Sequence, residues 1–215
     1  MAPVLKCFKS HNDEYDTKVV VTAQHRIMLD QVLNLFEIDP DYDLNIMTSN
    51  QSLDKITCKI ISKITPVLDL EKPDMVFVQG DTTTAFAASL SAFYKKIPVG
   101  HIEAGLRTMD KYSPFPEEIN RRLISSMATY HFAPTEKARD NLIAEGIALK
   151  DISITGNTIV DALLIVSGKL NQLQFSKKLE NIFFEKYRIV FTHKKTILVT
   201  GHRRENFGKS FINIC

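Results

Sequence analysis

Apolar residues follow two different spacings along this chain, and the two alternate. From residue 25 to residue 36 they recur three or four positions apart, as at Met28, Val32 and Phe36, which is the spacing of one face of a helix. Similar patterns predict further helices over residues 52–68, 82–95, 117–128, 135–145 and 157–172. Between the helices lie short apolar runs that predict strands over residues 18–22, 74–79, 97–101, 130–133 and 152–154.

The order of these elements indicates the fold class. The predicted strand over residues 74–79 is apolar on both faces, which is typical of a strand buried inside a parallel sheet. Strands and helices alternate from residue 18 to residue 172, which favours an α/β domain with a mostly parallel sheet. Right-handed crossovers would place helices on both sides of it. The sequence therefore predicts a Rossmann-like, doubly wound parallel sheet.

The two ends of the chain do not match a complete domain of this kind. Residues 1–5 have a helical pattern with no strand before it, so we expect the N-terminal domain, residues 1–170, to lack its first strand. That strand is central in a doubly wound sheet, so the sheet would contain a gap or would have closed up. Residues 171–194 are interpreted as a basic linker with a solvated helix, and residues 195–215 as the start of a truncated second domain. The alternative is that residues 196–215 pack back on the first domain.

Composition and charge exclude some classes of partner. With 27 basic and 25 acidic residues the formal net charge is +2, so there is no strong overall attraction to nucleic acid or to an anionic membrane. A local nucleic-acid contact through the basic stretch is the less favoured alternative. No apolar run reaches the ~18 residues of a membrane-spanning helix, and the N-terminus is a poor signal peptide. Cys7, Cys58 and Cys215 are odd in number and far apart, which suits a reducing cytoplasm and predicts neither a disulfide framework nor a zinc site.

Three acidic residues stand where ligands bind in this fold class. In open parallel sheets, the loops at the carboxyl ends of the strands form the ligand-binding crevice. Asp81 and Glu103 come shortly after predicted strands, and a polar loop over residues 106–116 leads to Glu117 at the start of a helix. We expect these three carboxylates to face one crevice, where crowding and burial would separate their pKa values and let an acid and a base coexist.

Structural roles are the alternative for some of these residues. Asp81 could cap the helix over residues 82–95, and Glu117 could complement the dipole of the helix that begins there. Glu103 precedes an Ala-Gly loop and has no capping role to explain it. His101 is interpreted as a structural residue that packs beside a strand end.

A second group of candidates follows the predicted strand over residues 196–200. His202 is a candidate for contact with a phosphate or a leaving group, and the adjacent Arg203 and Arg204 suit an anionic partner. The chain contains neither G-x-G-x-x-G nor G-x-x-x-x-G-K-[ST], so both common nucleotide-binding fingerprints are missing. It also lacks H-E-x-x-H, C-x-x-C and G-x-S-x-G, and the last absence argues against a serine hydrolase.

Seven segments, in this order along the chain, resemble the non-hydrolysing UDP-N-acetylglucosamine 2-epimerases. They are VTAQHRIMLDQVLNLF, VQGDTTTAFAASLSAFY, IPVGHIEAGLRT, YSPFPEEINRRL, FAPTEKARDNL, ITGNTIVDAL and ILVTGHRRENFG. The resemblance extends from Met1 to about Gly208 and is far more specific than any single motif.

The resemblance implies a fold and an activity. The fold would be similar to that of GT-B glycosyltransferases, with this chain supplying one domain and the beginning of the second, and with the active site in the cleft between them. The activity would be the interconversion of UDP-GlcNAc and UDP-ManNAc by elimination and re-addition of UDP, without NAD or metal. The resemblance also implies a homodimer in the cytoplasm and a role in cell-envelope polysaccharide biosynthesis.

The resemblance also implies roles for individual residues. The family's catalytic positions correspond to Asp81, Glu103, Glu117 and His202. Arg121 and Arg203 would bind the substrate, and Arg121, which follows the Pro-Glu-Glu segment, would also orient the acids. Which carboxylate is the acid and which is the base stays open.

The chain also departs from the family pattern. Family members begin with a strand and a glycine–arginine loop, carry a lysine on their first helix, and have a full second domain that binds the nucleotide. Remote contacts with the nucleotide help to stabilise the transition state, so we expect impaired turnover without them. The alternatives are a non-catalytic remnant or interaction module, a hydrolysing epimerase, and another GT-B-type nucleotide-sugar enzyme.

Overall fold

A computed structural model describes residues 1–23, 26–48, 51–191 and 197. Helices and strands alternate through most of it, in the order that the sequence pattern predicts. The helices are α1 (Ala2–Lys9), α2 (Arg26–Phe36), α3 (Leu53–Glu71), α4 (Thr83–Tyr94), α5 (Glu117–Met127), α6 (Glu136–Ala144), α7 (Thr158–Leu170) and α8 (Leu173–Tyr187). The strands are β1 (Val20–Val21), β2 (Tyr42–Asp43), β3 (Val76–Gln79), β4 (Val99–Ile102), β5 (Tyr130–Ala133) and β6 (Ile152–Ile154).

All the strand pairs are parallel, which confirms the predicted α/β class. Strands β3, β4, β5 and β6 form one sheet in that order, and β1 pairs with β2 in a second, two-stranded sheet. Within the described residues no ladder joins β1 to β3. The described strands therefore form two separate sheets, and the absence of a first strand stays a prediction.

The short strand β2 is missing from the sequence-based prediction. It spans two residues in a polar stretch, and alternation cannot be recognised over so short a length. The backbone N–H groups of Tyr42 and Leu44 donate to the carbonyl oxygens of Val19 and Val21, at 3.0 and 2.8 Å. Strand β2 therefore depends on the partner that β1 supplies, because Tyr42 favours strands but Asp43 does not.

Three hydrophobic clusters pack against the sheets, and two of them lie on opposite faces of β1. One contains buried residues of α3 and α4, with Val20, Val76 and Val78 from β1 and β3. The other contains Leu5 of α1 and Phe36 at the end of α2, with Val19 and residues of α7 packed against it. Val19 and Val20 thus point to opposite faces, as successive residues of a strand do.

The chain divides into two units, residues 1–167 and residues 168–215. In the second unit, the residues of α8 are all at least partly exposed, and the ring of Phe183 packs against those of Tyr187 and Phe191. The predicted boundaries at residues 170 and 194 stay predictions. In the part of the chain that the structure describes, no helix combines the length and the apolar character needed to cross a membrane.

Candidate active site

Asp81 and Glu103 emerge at the same edge of the four-stranded sheet. Strands β3 and β4 are adjacent and parallel, and Gln79 pairs in register with Ile102. Asp81 lies two residues beyond the end of β3, and Glu103 directly follows β4. The side-chain amide of Gln79 donates to Oε2 of Glu103 at 3.4 Å. The topology therefore brings these two predicted site residues to one rim, because the loops that follow adjacent parallel strands start at the same edge of the sheet.

The backbone at this rim is held in conformations that few residues adopt. Glu103 has φ of 66°, in the left-handed region that costs a non-glycine residue of order 1 kcal/mol or more. Gly80, across from it, has φ of 71°, and a Cβ at that position would lie 3.6 Å from Oε2 of Glu103. A strained backbone conformation persists only where the surrounding structure offsets its cost, and such residues are found preferentially at functional sites.

Arg121 binds Asp81 from the next helix along the rim. Its Nε and Nη2 atoms lie 2.7 and 2.6 Å from Oδ2 of Asp81, and the amide of Asn120 donates to the Asp81 carbonyl oxygen at 2.8 Å. The Asp81 side chain is 23% exposed and that of Arg121 14%, so this charged pair is largely shielded from water. Arg121 thus contacts Asp81 in the fold, and the part that either residue takes in a site stays a prediction.

Glu117 lies on α5, the helix that also carries Arg121. It is the first residue of the helix and partly buried. It lies four residues before Arg121, and residues four apart on a helix are neighbours on one face. The side chains of Asn120 and Arg121 bond Asp81, so this part of α5 lies near the residues that follow β3. The convergence of the three carboxylates remains a prediction at the level of atomic distances.

The fully buried Glu118 stabilises both the loop before α5 and the side chain of Arg121. Its two carboxylate oxygens accept hydrogen bonds from the backbone N–H groups of Thr108 and Met109, at 3.0 and 3.2 Å, and Oε2 lies 3.2 Å from Nη1 of Arg121. Burial alone raises the pKa of the Glu118 carboxyl, but the hydrogen bonds from Thr108, Met109 and Arg121 outweigh it, and the net pKa is lowered. Glu118 therefore fixes both the loop before α5 and the guanidinium that contacts Asp81.

Arg107 has a structural role at the start of the same loop. Its side chain is fully buried, and Nε and Nη2 bond the two carboxylate oxygens of Glu145 at 2.7 and 2.6 Å. A third bond joins Nη2 to the hydroxyl of Ser125 at 3.0 Å. Two planar N–H donors facing two carboxylate oxygens give a strong and directional pair. The loop over residues 106–116 is thus fixed at its beginning as well as before α5.

The structure corrects one alternative for Asp81. The residue that caps α4 is Thr82, whose hydroxyl accepts a hydrogen bond from the backbone N–H of Ala85 at 3.1 Å. Threonine is among the residues preferred at this position, where its hydroxyl satisfies a free N–H of the first turn. Asp81 is therefore left free of capping, and its carboxylate bonds Arg121 instead.

Two buried histidines lie in register beneath the rim. His101 of β4 donates from Nε2 to the carbonyl oxygen of Gly80 at 2.8 Å, while its Nδ1 has no partner among the described residues. Burial lowers the pKa of His101 to about 4, although the hydrogen bond to Gly80 opposes the change. His131, its neighbour on β5, is also buried, and desolvation lowers its pKa too. Both properties agree with a structural role for His101.

Two of the predicted site residues have no described position. His202 and Arg203 lie outside the described residues, so their relation to the rim stays a prediction. Among the residues that the structure does describe, no group of three or more His, Cys, Asp or Glu side chains could hold a metal ion.

Comparison with known proteins assigns these segments to one family. A family model described as UDP-N-acetylglucosamine 2-epimerase matches residues 8–215. The enzyme of that name from Escherichia coli strain K12 is 54% identical over 215 residues, which cover 100% of this chain and 56% of the relative. A crystal structure of UDP-GlcNAc 2-epimerase from Neisseria meningitidis bound to UDP-GlcNAc is 55% identical, with a TM-score of 0.89 over 100% of this chain and 56% of that one. The Methanocaldococcus jannaschii enzyme in complex with UDP-GlcNAc and UDP is 40% identical, with a TM-score of 0.73 over 86% and 49%.

The chain belongs to the UDP-N-acetylglucosamine 2-epimerase family. The resemblance seen in its seven segments is confirmed at this level, and so is the Rossmann-like fold of one domain of a GT-B-type epimerase. The chain spans about half the length of the curated relatives that it matches, 56% for the Escherichia coli enzyme. The roles of individual residues in this UDP-GlcNAc 2-epimerase family member remain predictions.

Three residues near the rim of this epimerase-family domain were not identified from the sequence. They are Gln79, Glu118 and Asn120. Glu118 lies three and four residues before two arginines, a spacing that predicts ion pairs on a helix and was the available signal. For Gln79 and Asn120 the sequence holds no comparable signal, because their contacts join residues 24 and 39 positions apart.

Proposed function

We propose that this chain carries the proton-transfer half of a non-hydrolysing UDP-GlcNAc 2-epimerase, which interconverts UDP-GlcNAc and UDP-ManNAc. The observation that supports it most directly is the rim that holds Asp81 and Glu103, with Glu117 on the helix that Arg121 joins to Asp81. Inversion at C2 of a sugar requires a base on one face and an acid on the other. A rim with several carboxylates supplies groups of both kinds.

The proposed reaction balances as an elimination followed by its reverse. A carboxylate removes the proton from C2, the C–H electron pair forms a C1=C2 double bond, and UDP leaves C1 with the electron pair of the C1–O bond. A second group then returns a proton to the opposite face of C2, and UDP adds again at C1. Sugar, UDP and the proton are all recovered, and only the configuration at C2 changes.

Residue roles follow from this scheme as parts of the proposal. Asp81, Glu103 and Glu117 form the proton-transfer set, with acid and base not assigned among them. Arg121 acts on Asp81 as a positioning residue, because its guanidinium bonds the Oδ2 atom. His202 would stabilise the departing diphosphate, and Arg203 would bind the substrate anion.

The remaining parts of the proposal rest on the family resemblance. We expect a reaction that needs neither NAD nor metal, a homodimeric assembly and a cytoplasmic location. We also expect the product to be used in cell-envelope polysaccharide biosynthesis.

The test is a coupled assay for UDP-ManNAc formation from UDP-GlcNAc. The chain is assayed alone and mixed with a separately produced segment that corresponds to the remaining C-terminal part of a relative. We expect turnover by the chain alone to be far below that of a full-length relative, because positioning can contribute on the order of 7–11 kcal/mol to the barrier. The mixture should recover turnover.

A matched pair of variants makes this test specific. In the mixture, Glu103→Gln should lower turnover by about 10²-fold or more, the usual effect of removing a proton-transfer group. Glu14→Gln, which changes an exposed carboxylate, should leave turnover unchanged. Equal turnover for Glu103→Gln and the parent mixture would contradict the proposed role of Glu103.

Product analysis separates the alternatives. Release of ManNAc and UDP without UDP-ManNAc would identify a hydrolysing epimerase. A chain that neither turns over nor binds UDP-GlcNAc in the mixture would be a non-catalytic interaction module. Full turnover by the chain alone would show that the argument from positioning is wrong.

A further inference from the structure

His101 and His131 form a buried histidine pair on neighbouring strands. They are partners in register on β4 and β5, so their side chains point to the same face of the sheet. Both are almost completely shielded from solvent, with 0% and 1% of their surface exposed. In each ring, Nδ1 is buried without a hydrogen-bond partner among the described residues. Buried polar atoms are nearly always paired, so both nitrogens require a partner.

The other nitrogen of each ring decides what kind of partner this is. Nε2 of His101 lies 2.8 Å from the carbonyl oxygen of Gly80, which can only accept, so Nε2 carries the proton. His131 also bonds a backbone group, that of Ala128, in a way that favours the protonated ring, as a carbonyl acceptor does. Because Nδ1 of His131 is the nitrogen without a partner, this bond comes from Nε2.

Both Nδ1 atoms are therefore hydrogen-bond acceptors. Burial lowers the pKa of His101 to about 4 and also lowers the pKa of His131, so both rings are neutral at pH 7. A neutral imidazole that carries its proton on Nε2 has a lone pair on Nδ1. Two acceptors cannot bond each other, but one atom that carries two donors can bond both.

The spacing of the strands suits a bridge of one atom. Neighbouring strands lie about 4.8 Å apart, and two rings of the same orientation place their Nδ1 atoms at about that separation. Two hydrogen bonds of about 2.9 Å from one central atom span up to about 5.8 Å. A single nitrogen or oxygen with two protons therefore fits between the rings.

The charges around the buried histidine pair favour a neutral molecule over a cation. After burial, the positive charge of Arg107 also lowers the pKa of both rings, and that of Arg121 lowers the pKa of His101 further. The carboxylate of Asp151 acts in the opposite direction, at His131 only. A field that disfavours a protonated imidazole also disfavours a bound ammonium or metal ion. Water is neutral, donates two hydrogen bonds and is commonly bound inside proteins by two to four polar groups.

We propose that one internal water molecule binds between Nδ1 of His101 and Nδ1 of His131 and donates a hydrogen bond to each. This position is called the imidazole water site below. The water would hold His101 in the tautomer whose Nε2 donates to Gly80, directly before Asp81, and would thereby connect β5 with the turn that carries Asp81. The inference does not depend on the proposed enzymatic function.

The competing arrangement is a direct hydrogen bond between the two rings. It requires His131 to carry its proton on Nδ1 and to donate it to Nδ1 of His101. Nε2 of His131 would then direct a lone pair at the backbone acceptor of Ala128, so that two acceptors would face each other. The bridging water avoids this conflict, because each ring keeps its proton on Nε2.

The test is NMR spectroscopy of the full chain, isotope-labelled and held at pH 7. Long-range proton–nitrogen correlations show which nitrogen of each ring carries the proton. Cross-relaxation with water is recorded for the Hε1 proton of each ring, which lies on the carbon next to Nδ1. Comparison of NOE and ROE spectra separates a bound water from simple proton exchange.

We expect both rings to carry the proton on Nε2 and both Hε1 protons to show cross-relaxation with a long-lived water. His131→Phe removes one of the two acceptors and should reduce the water signal at Hε1 of His101 at least about fivefold, because a buried water needs two or more polar partners. His11→Phe, at an exposed position, is the matched control and should leave both signals unchanged. The measurements on the parent chain decide the proposal even where His131→Phe does not fold.

Three results would overturn the proposal. The first is a proton on Nδ1 of His131, which would assign a direct bond between the rings. The second is the absence of water cross-relaxation at both Hε1 protons of the parent chain. The third is an equal water signal at His101 in the parent and in folded His131→Phe, which would place the water away from His131.

Discussion

Because His101 is buried, the free energy of unfolding of this domain should start to fall at a pH above that at which most carboxylates titrate. Its pKa is lowered to about 4 in the fold because burial penalises the charged imidazole, against about 6.5 for an unperturbed histidine. The tautomer explains why. Nε2 already donates to the Gly80 carbonyl oxygen, so the added proton would sit on Nδ1, which has no acceptor among the described residues.

The sign and the size of the effect follow from linkage. Between pH 6.5 and pH 4 the unfolded chain binds a proton at His101 that the folded chain excludes, so the free energy of unfolding falls as the pH falls through this window. A pKa difference of about 2.5, at about 1.4 kcal/mol per unit, corresponds to about 3.5 kcal/mol, of which about 3 kcal/mol is lost by pH 4. The free energy of unfolding of a typical domain is only about 5–15 kcal/mol. His131 should act in the same direction, since burial lowers its pKa as well.

The assay is urea unfolding followed by circular dichroism at several pH values from 7 to 4. His101→Gln removes the titration while keeping a side-chain amide that can donate to Gly80. Between pH 7 and pH 4 the parent should lose about 3 kcal/mol more than this variant, whatever their difference at pH 7. His11→Gln, at an exposed position, is the matched control and should follow the parent. Parallel losses in the parent and in His101→Gln would refute the reasoning.

Two further predictions concern stability and local order. Gly105 has φ of 84° and a Cβ there would lie 2.1 Å from the Ala138 carbonyl oxygen, whereas Gly146 has φ of 89° with nothing within 4 Å. Gly146→Ala should therefore lower the free energy of unfolding by about 1 kcal/mol, because of the backbone conformation alone. Gly105→Ala should lower it by at least about 2 kcal/mol more, because of the added clash. Equal losses for the two variants in urea unfolding would contradict this prediction. Glu118→Gln should cost about 3 kcal/mol, because it leaves buried donors and a guanidinium without their charge partner. It should also accelerate amide exchange at Thr108, and unchanged exchange there would show that Glu118 does not hold the loop.

The strands that the sequence predicted well are those whose own residues favour extended structure. The run over residues 74–79 is apolar on both faces, and the structure has β3 inside it at Val76–Gln79. The predicted strand over residues 130–133 has the same bounds as β5. Such runs carry their own preference for extended structure, so they are visible without knowledge of their neighbours. Strand β2 is the contrast, because its two residues are extended only where β1 supplies hydrogen bonds.

The candidate site divides in a similar way. Sequence reasoning located Asp81 and Glu103, because parallel strands place their carboxyl ends at one edge, and the structure confirms that both residues lie there. It did not identify Glu118, whose spacing to Arg121 and Arg122 was visible but whose burial depends on how the preceding loop packs. It also left open whether Asp81 caps α4, which the hydroxyl of Thr82 decides.

By itself, the sequence determined the alternation of strands and helices, the parallel class of the sheet, the family and the residues that end its strands. These properties depend on short-range periodicity and on motifs that are contiguous in the chain. Only the tertiary structure decided that the sheet is divided between β1 and β3, that Arg121 rather than a helix terminus holds Asp81, and that His101 is buried without a partner for Nδ1. Each of these depends on contacts between segments far apart in the chain, and burial and hydrogen-bond satisfaction are defined only once those segments have packed together.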